Sequence, residues 1–92
     1  MITIQFNAFS FLKNECKKKG IECPNKNMQI DEDINLRRFI KTLGFEENEI
    51  EGAFVNHKLV PFDTVLKDGD RVALVPPGGI PNHVRAYVGN TV

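Results

Sequence analysis

One apolar stripe, Leu36, Phe39, Ile40 and Leu43, constrains this chain more than any other feature. Its members fall at i, i+3, i+4 and i+7 and therefore share one face of an α-helix over residues 36–43. Asn35 stands where a side chain can cap the first free amides, and Gly44 where a left-handed residue can end the helix. Such a stripe needs an apolar surface to lie against. The other apolar residues are spaced as strands, so that surface is a sheet.

Ile2, Ile4 and Phe6 alternate with Thr3 and Gln5, the period-two pattern of a strand with one buried face. Met28 and Ile30 flank Gln29 and predict a second short strand over residues 27–31. The connection between them, residues 7–27, exceeds hairpin length and is expected to carry its own turn or short helix. Its first half has helical propensity without a regular apolar period, and Gly20 and Pro24 interrupt it. After the main helix, Glu46-Glu47-Asn48-Glu49 reads as an acidic, solvated link.

Phe54-Val55 then leads through a tight turn at Asn56-His57 into Leu59-Val60. Pro61 and Phe62 open a loop, Asp68-Gly69 marks a turn, and Arg71–Val75 forms a strand that Pro76-Pro77 ends. Two strands, one main helix and three further strand-like pieces predict an α+β fold, a mixed sheet gripping one helix. That arrangement is the ubiquitin-like β-grasp.

Ninety-two residues make one small domain with an ordinary apolar fraction of 41%. Twelve basic residues balance twelve acidic ones, so no global field draws the chain to nucleic acid or an anionic membrane. Lys17-Lys18-Lys19 and Arg37-Arg38 read as solvated clusters. MITIQF lacks the layout of a signal peptide, and no apolar run approaches the ~20 residues of a membrane span, so a cytoplasmic protein is expected.

Candidate chemistry is sparse. Cys16 and Cys23 lack the second pair that would complete a zinc site, and they are expected to be reduced thiols. His57 and His83 have no metal-binding company, and Asp68 and Asp70 are explained by turn formation. No nucleophile–base pair, P-loop or dinucleotide fingerprint is present, so neither an enzyme nor a cofactor is expected. Phe9, Phe11 and Leu12 either cover an open end of the core or form an apolar patch for a partner. Phe54, Phe62 and Val72 pose the same choice.

Several patterns, in order, resemble the MoaD/ThiS family of ubiquitin-fold sulfur carriers. They are the capped helix of residues 35–44, the hairpin Val55-Asn56-His57-Lys58-Leu59-Val60, the turn Lys67-Asp68-Gly69-Asp70-Arg71-Val72, and Pro76-Pro77-Gly78-Gly79 after the last strand. The resemblance covers residues 1–6 and 27–79. Similar turns occur in TGS domains, which gives a nucleotide- or RNA-binding module as a minor alternative.

The resemblance implies a definite chemistry. Family carriers end on a free Gly-Gly, which has no side chains and threads a narrow channel into a partner's ATP site. An E1-like adenylyltransferase converts the terminal carboxylate into an acyl-adenylate, a sulfur donor makes the thiocarboxylate, and a synthase subunit accepts the sulfur for molybdopterin, tungstopterin, thiamine or a related product. By this resemblance Gly79 is the sulfur acceptor, Pro76, Pro77 and Gly78 are its tail, and Phe62 and Leu74 are candidate interface residues. Residues 1–79 are the domain and residues 80–92 an extension. Maturation then requires cleavage after Gly79, a task that JAMM-type metalloproteases perform on related carriers.

The chain departs from the family pattern at its end. Pro-Pro adjoins Gly-Gly, whereas molybdopterin-type carriers place two residues between them, a difference of up to ~7 Å in reach. His57 also occupies a hairpin position where glycine is common. In the extension, Val84, Ala86 and Val88 alternate with Arg85 and Tyr87, as in a strand. Two functions therefore stand side by side: a processed sulfur carrier, or a non-catalytic β-grasp binding module with an inert internal Gly-Gly.

Overall fold

The computed structural model describes residues 1–9 and 12–77. Strand β1 (Ile2–Ala8) buries Ile4, Phe6 and Ala8 on one face, as the alternation predicts, and extends two residues past Phe6. The long connection holds a short helix, α1 (Leu12–Lys18), that buries Leu12 and Cys16 and ends at Gly20 with φ of +76°. Strand β2 (Asn25–Ile30) returns antiparallel to β1, with an irregularity in register between Ile4 and Phe6.

Helix α2 (Leu36–Thr42) is the gripped element. Leu36, Phe39 and Ile40 are fully buried, and the Phe39 ring meets Phe6 edge-on, with centroids 5.8 Å apart. Its first-turn amides are satisfied from two directions. Asn35 Oδ1 accepts from the Arg38 amide at 2.9 Å, while the Leu36 and Arg37 amides donate to the Thr64 and Phe62 carbonyls. Gly44, at φ of +94°, ends the helix, and Lys19 Nζ donates to its carbonyl at 3.0 Å. Lys19 also lies over the Phe45 ring, so the lysine triplet is not wholly a solvated face.

The acidic link forms a 3₁₀ turn, Glu47–Glu49, rather than an open connection. Its Glu47 pairs with Arg37 at 2.9 Å, and Arg37 also pairs with Asp63. Strands β3 (Gly52–Val55) and β4 (Lys58–Val60) form the expected hairpin. Asn56 and His57 both take positive φ, the turn whose twist suits a two-residue hairpin, so histidine here accepts a conformation that glycine adopts freely.

Strand β5 (Arg71–Val75) runs parallel to β1 and antiparallel to β3, giving the order β2-β1-β5-β3-β4. Two turns fix its start. Asp70 carboxylate oxygens accept from the Lys67 amide and Asn56 Nδ2, while Gly69 N–H donates to the Thr3 carbonyl and Asp68 Oδ1 accepts from the Thr3 amide. These aspartates are turn-builders.

The helix carries the core, so its cap and its central ring should be separable in energy. Asn35→Ala should lower the free energy of unfolding by about 1 kcal/mol, since the loop carbonyls still serve the neighbouring amides. Phe39→Ala should cost about 3–5 kcal/mol. Urea unfolding midpoints at unchanged m-value would measure both.

Candidate functional site

Strand pairing determines which side chains face away from the helix. Gln5 lies opposite Arg71, Asn7 opposite Ala73, and Ala73 opposite Phe54, all on the face the core does not use. Together with the segment between α1 and β2 they form a groove of about 440 Å³. Phe54 and Ala73 belong to its floor, Phe9 and Pro24 line it, and Lys26, His57 and Arg71 supply its basic side chains. Among the described residues no carboxylate lines it. Phe9 is 44% exposed, a large apolar side chain left in water at the end of β1. The groove suits an apolar surface carrying negative charge.

The groove lies along β5, and β5 leads to the expected tail. Pro76 is buried and Pro77 exposed. Gly78, Gly79 and residues 80–92, with the strand-like alternation from Val84, lie outside the described residues, as does Phe11.

Of the two interface candidates, Leu74 needs correction. It is 0% exposed, because the parity of β5 turns it toward the helix beside Ala8 and Ala53. A side chain so placed meets no partner. Phe62 is half-buried against the core, so part of its side chain stays accessible, and its carbonyl accepts from the Arg37 amide. Val72 and Leu12 are core residues. On the open face the aromatic side chains are instead Phe9, which is exposed, and Phe54, which is half-buried; the sequence left both undecided between core and patch.

Among the described residues no cluster of histidine, cysteine or carboxylate side chains could hold a metal ion. No helix among them is long and apolar enough to cross a membrane.

The model of the ThiS family matches residues 14–79. The chain belongs to the ThiS family. Proteins of this family and of the related MoaD type are small sulfur carriers rather than enzymes, and they partner with an E1-like adenylyltransferase and a synthase subunit. Membership thus supports a sulfur-carrier role for this chain. Its fold is shared with the putative molybdopterin converting factor, subunit 1, from Pyrococcus furiosus, at a TM-score of 0.64 and 23% identity. The match covers 84% of this chain and 99% of that one. No curated protein matches significantly.

This ThiS-family chain carries one thiol on α1, Cys16, and one just before β2, Cys23. Cys16 is 0% exposed, and burial is the main force pushing its thiol up from an ordinary 9.0 to about 11. The adjacent Cys23 thiol raises it further by charge and hydrogen bonding, while Lys19 acts weakly in the opposite sense. Cys23 is half-buried and donates its S–H to Asn7 Oδ1 at 3.4 Å.

The proton on Cys16 links stability to alkaline pH. The unfolded chain loses it near pH 9.0 while the native chain keeps it to about 11, so the native state binds more protons between these values. Stability from this group is complete below pH 9.0 and should decline as pH rises toward 11. Thermal unfolding followed from pH 8 to 11 should show this decline, reduced in Cys16→Ala relative to that variant's own value at pH 8.

Proposed function

We propose that this chain is a sulfur-carrier precursor, cut between Gly79 and Ile80 and activated at the carboxylate of Gly79. The observation that carries the reading is the end of the family match. It stops at Gly79, the second glycine of Pro76-Pro77-Gly78-Gly79, while the sequence continues to Val92. On this reading residues 1–79 are the functional domain and residues 80–92 are removed, with a JAMM-type metalloprotease as the candidate enzyme.

The need for cleavage is chemical. A peptide carbonyl at Gly79 cannot attack the α-phosphate of ATP, whereas a free carboxylate can. An E1-like adenylyltransferase would then release pyrophosphate and leave an acyl-adenylate at Gly79. A sulfur donor displaces AMP, and the resulting thiocarboxylate passes its sulfur to a synthase subunit. Molybdopterin, tungstopterin, thiamine or a related product is the destination, and the fold shared with a converting-factor subunit favours the pterin route. The cytoplasm, where ATP and reduced thiols coexist, is the proposed compartment.

In this scheme the domain supplies presentation, with no acid, base or metal of its own. The groove beside the tail is the proposed docking face: Phe9 and Phe54 for apolar contact, Lys26 and Arg71 for steering an acidic rim. The half-buried Phe62 is a smaller candidate contact. The rival reading, a binding module with an inert Gly-Gly, draws on the alternation of Val84, Ala86 and Val88.

Two measurements test the proposal. A chain ending at Gly79 should support ATP–pyrophosphate exchange with an E1-like adenylyltransferase, and the chain continuing to Val92 should not. Equal exchange by both, or none by the shortened chain with any such enzyme, would contradict it. Phe54→Asp and Arg71→Glu in the shortened chain should each weaken binding to that enzyme by about tenfold or more, with the unfolding midpoint little changed.

A further inference from the structure

Six residues separate the two cysteines, Cys16 on α1 and Cys23 in the segment between α1 and β2. After α1 the chain folds back sharply: Gly20 takes a positive φ and the Ile21 amide donates to the Cys16 carbonyl at 2.8 Å. This reversal turns the chain back toward the buried Cys16, and Cys23 packs against the same core cluster that contains it. Both are free. Cys23 is also tied to the groove, because its S–H donates to Asn7 Oδ1, and Asn7, Pro24 and Asn25 all line that groove.

We propose that Cys16 and Cys23 form an oxidisable dithiol whose disulfide alters the wall of the open-face groove. The pairing is more than a thiol filling a core gap, because one member is buried and the other reaches solvent. Cys23 is the entry point. Its thiolate attacks a small disulfide such as glutathione disulfide, forming a Cys23 Sγ–S bond and expelling one thiolate, which takes up a proton. Cys16 then loses its proton and attacks Cys23 Sγ, releasing the second small thiol. Two protons and two electrons leave the protein, and the reagent is reduced to two thiols.

The raised proton affinity of Cys16 agrees with this order, since a buried thiol of that kind reacts slowly with reagents in solution but has the mixed disulfide held against it. The structural consequence follows from bonding. A disulfide has no S–H, so Asn7 Oδ1 loses its donor from Cys23 and keeps only the Ala8 amide at 2.9 Å. A covalent S–S bond is also much shorter than a thiol contact, so the segment bearing Pro24 is drawn toward α1. The inference concerns the fold alone and does not depend on sulfur transfer.

The test treats the full chain with glutathione disulfide, quenches in acid, alkylates, and reads the intact mass. The expected product is lighter than the reduced chain by two hydrogens, resists alkylation and carries no glutathionyl group. Cys16→Ala should instead stop with one glutathionyl group on Cys23, and Cys23→Ala should remain unmodified. In nitrogen-15 spectra of the wild-type chain, the Asn7 side-chain amide and the Asn25 backbone amide should shift on oxidation and return with a thiol reductant. A wild-type chain that remains reduced, that stops at a stable mixed disulfide, or that links only to a second chain would overturn the proposal. So would an internal disulfide that leaves Asn7 and Asn25 unshifted. The wild-type mass decides the first point even where a variant fails to fold.

Discussion

The parallel pairing of β1 with β5 is the constraint on which the structure depends. It brings the first strand and the strand leading to the tail together at the centre of the sheet, in register from Gln5 opposite Arg71 to Ala8 opposite Leu74. A parallel pair cannot be closed by a hairpin, so everything between must cross over. Helix α2 lies within that crossover and buries Leu36, Phe39 and Ile40. The turn at Asp68-Gly69-Asp70 seals the arrangement by bonding to Thr3 at the start of β1. The strand that leads to Pro76 and Pro77 is therefore held on both sides, by β1 and by β3.

The same pairing creates the site. Phe54, Ala73, Asn7 and Arg71 come from three strands far apart in sequence, and only their adjacency in the sheet makes a groove. Its apolar floor and basic rim lie along the strand that feeds the tail. On the proposed carrier reading, partner binding and delivery of the terminal group would share this one rigid strand.

Local signals made the framework legible. The stripe of α2, its Asn35 cap, the Asn56-His57 turn and the Asp68-Gly69 turn are encoded by residues close in sequence, and each occurs where its chemistry predicts. Helix α1 was harder to bound because its described buried residues, Leu12 and Cys16, give a single i, i+4 pair followed by three lysines. The interface assignment of Leu74 failed for a different reason. In Arg71-Val72-Ala73-Leu74-Val75 four successive residues are apolar, so the sequence does not reveal which face each takes. Register against β1 and β3 decides it, and register is a long-range property. The approach of Cys23 to the core around Cys16 was hidden likewise, because it depends on the chain reversal after α1.

The central claim is that the active end of this ThiS-family chain is Gly79. The most direct test is the intact mass of the protein isolated from its own host under gentle, non-reducing conditions. The account predicts a species ending at Gly79, part of it with one terminal oxygen replaced by sulfur. Recovery solely of chains that still carry residues 80–92 would contradict it.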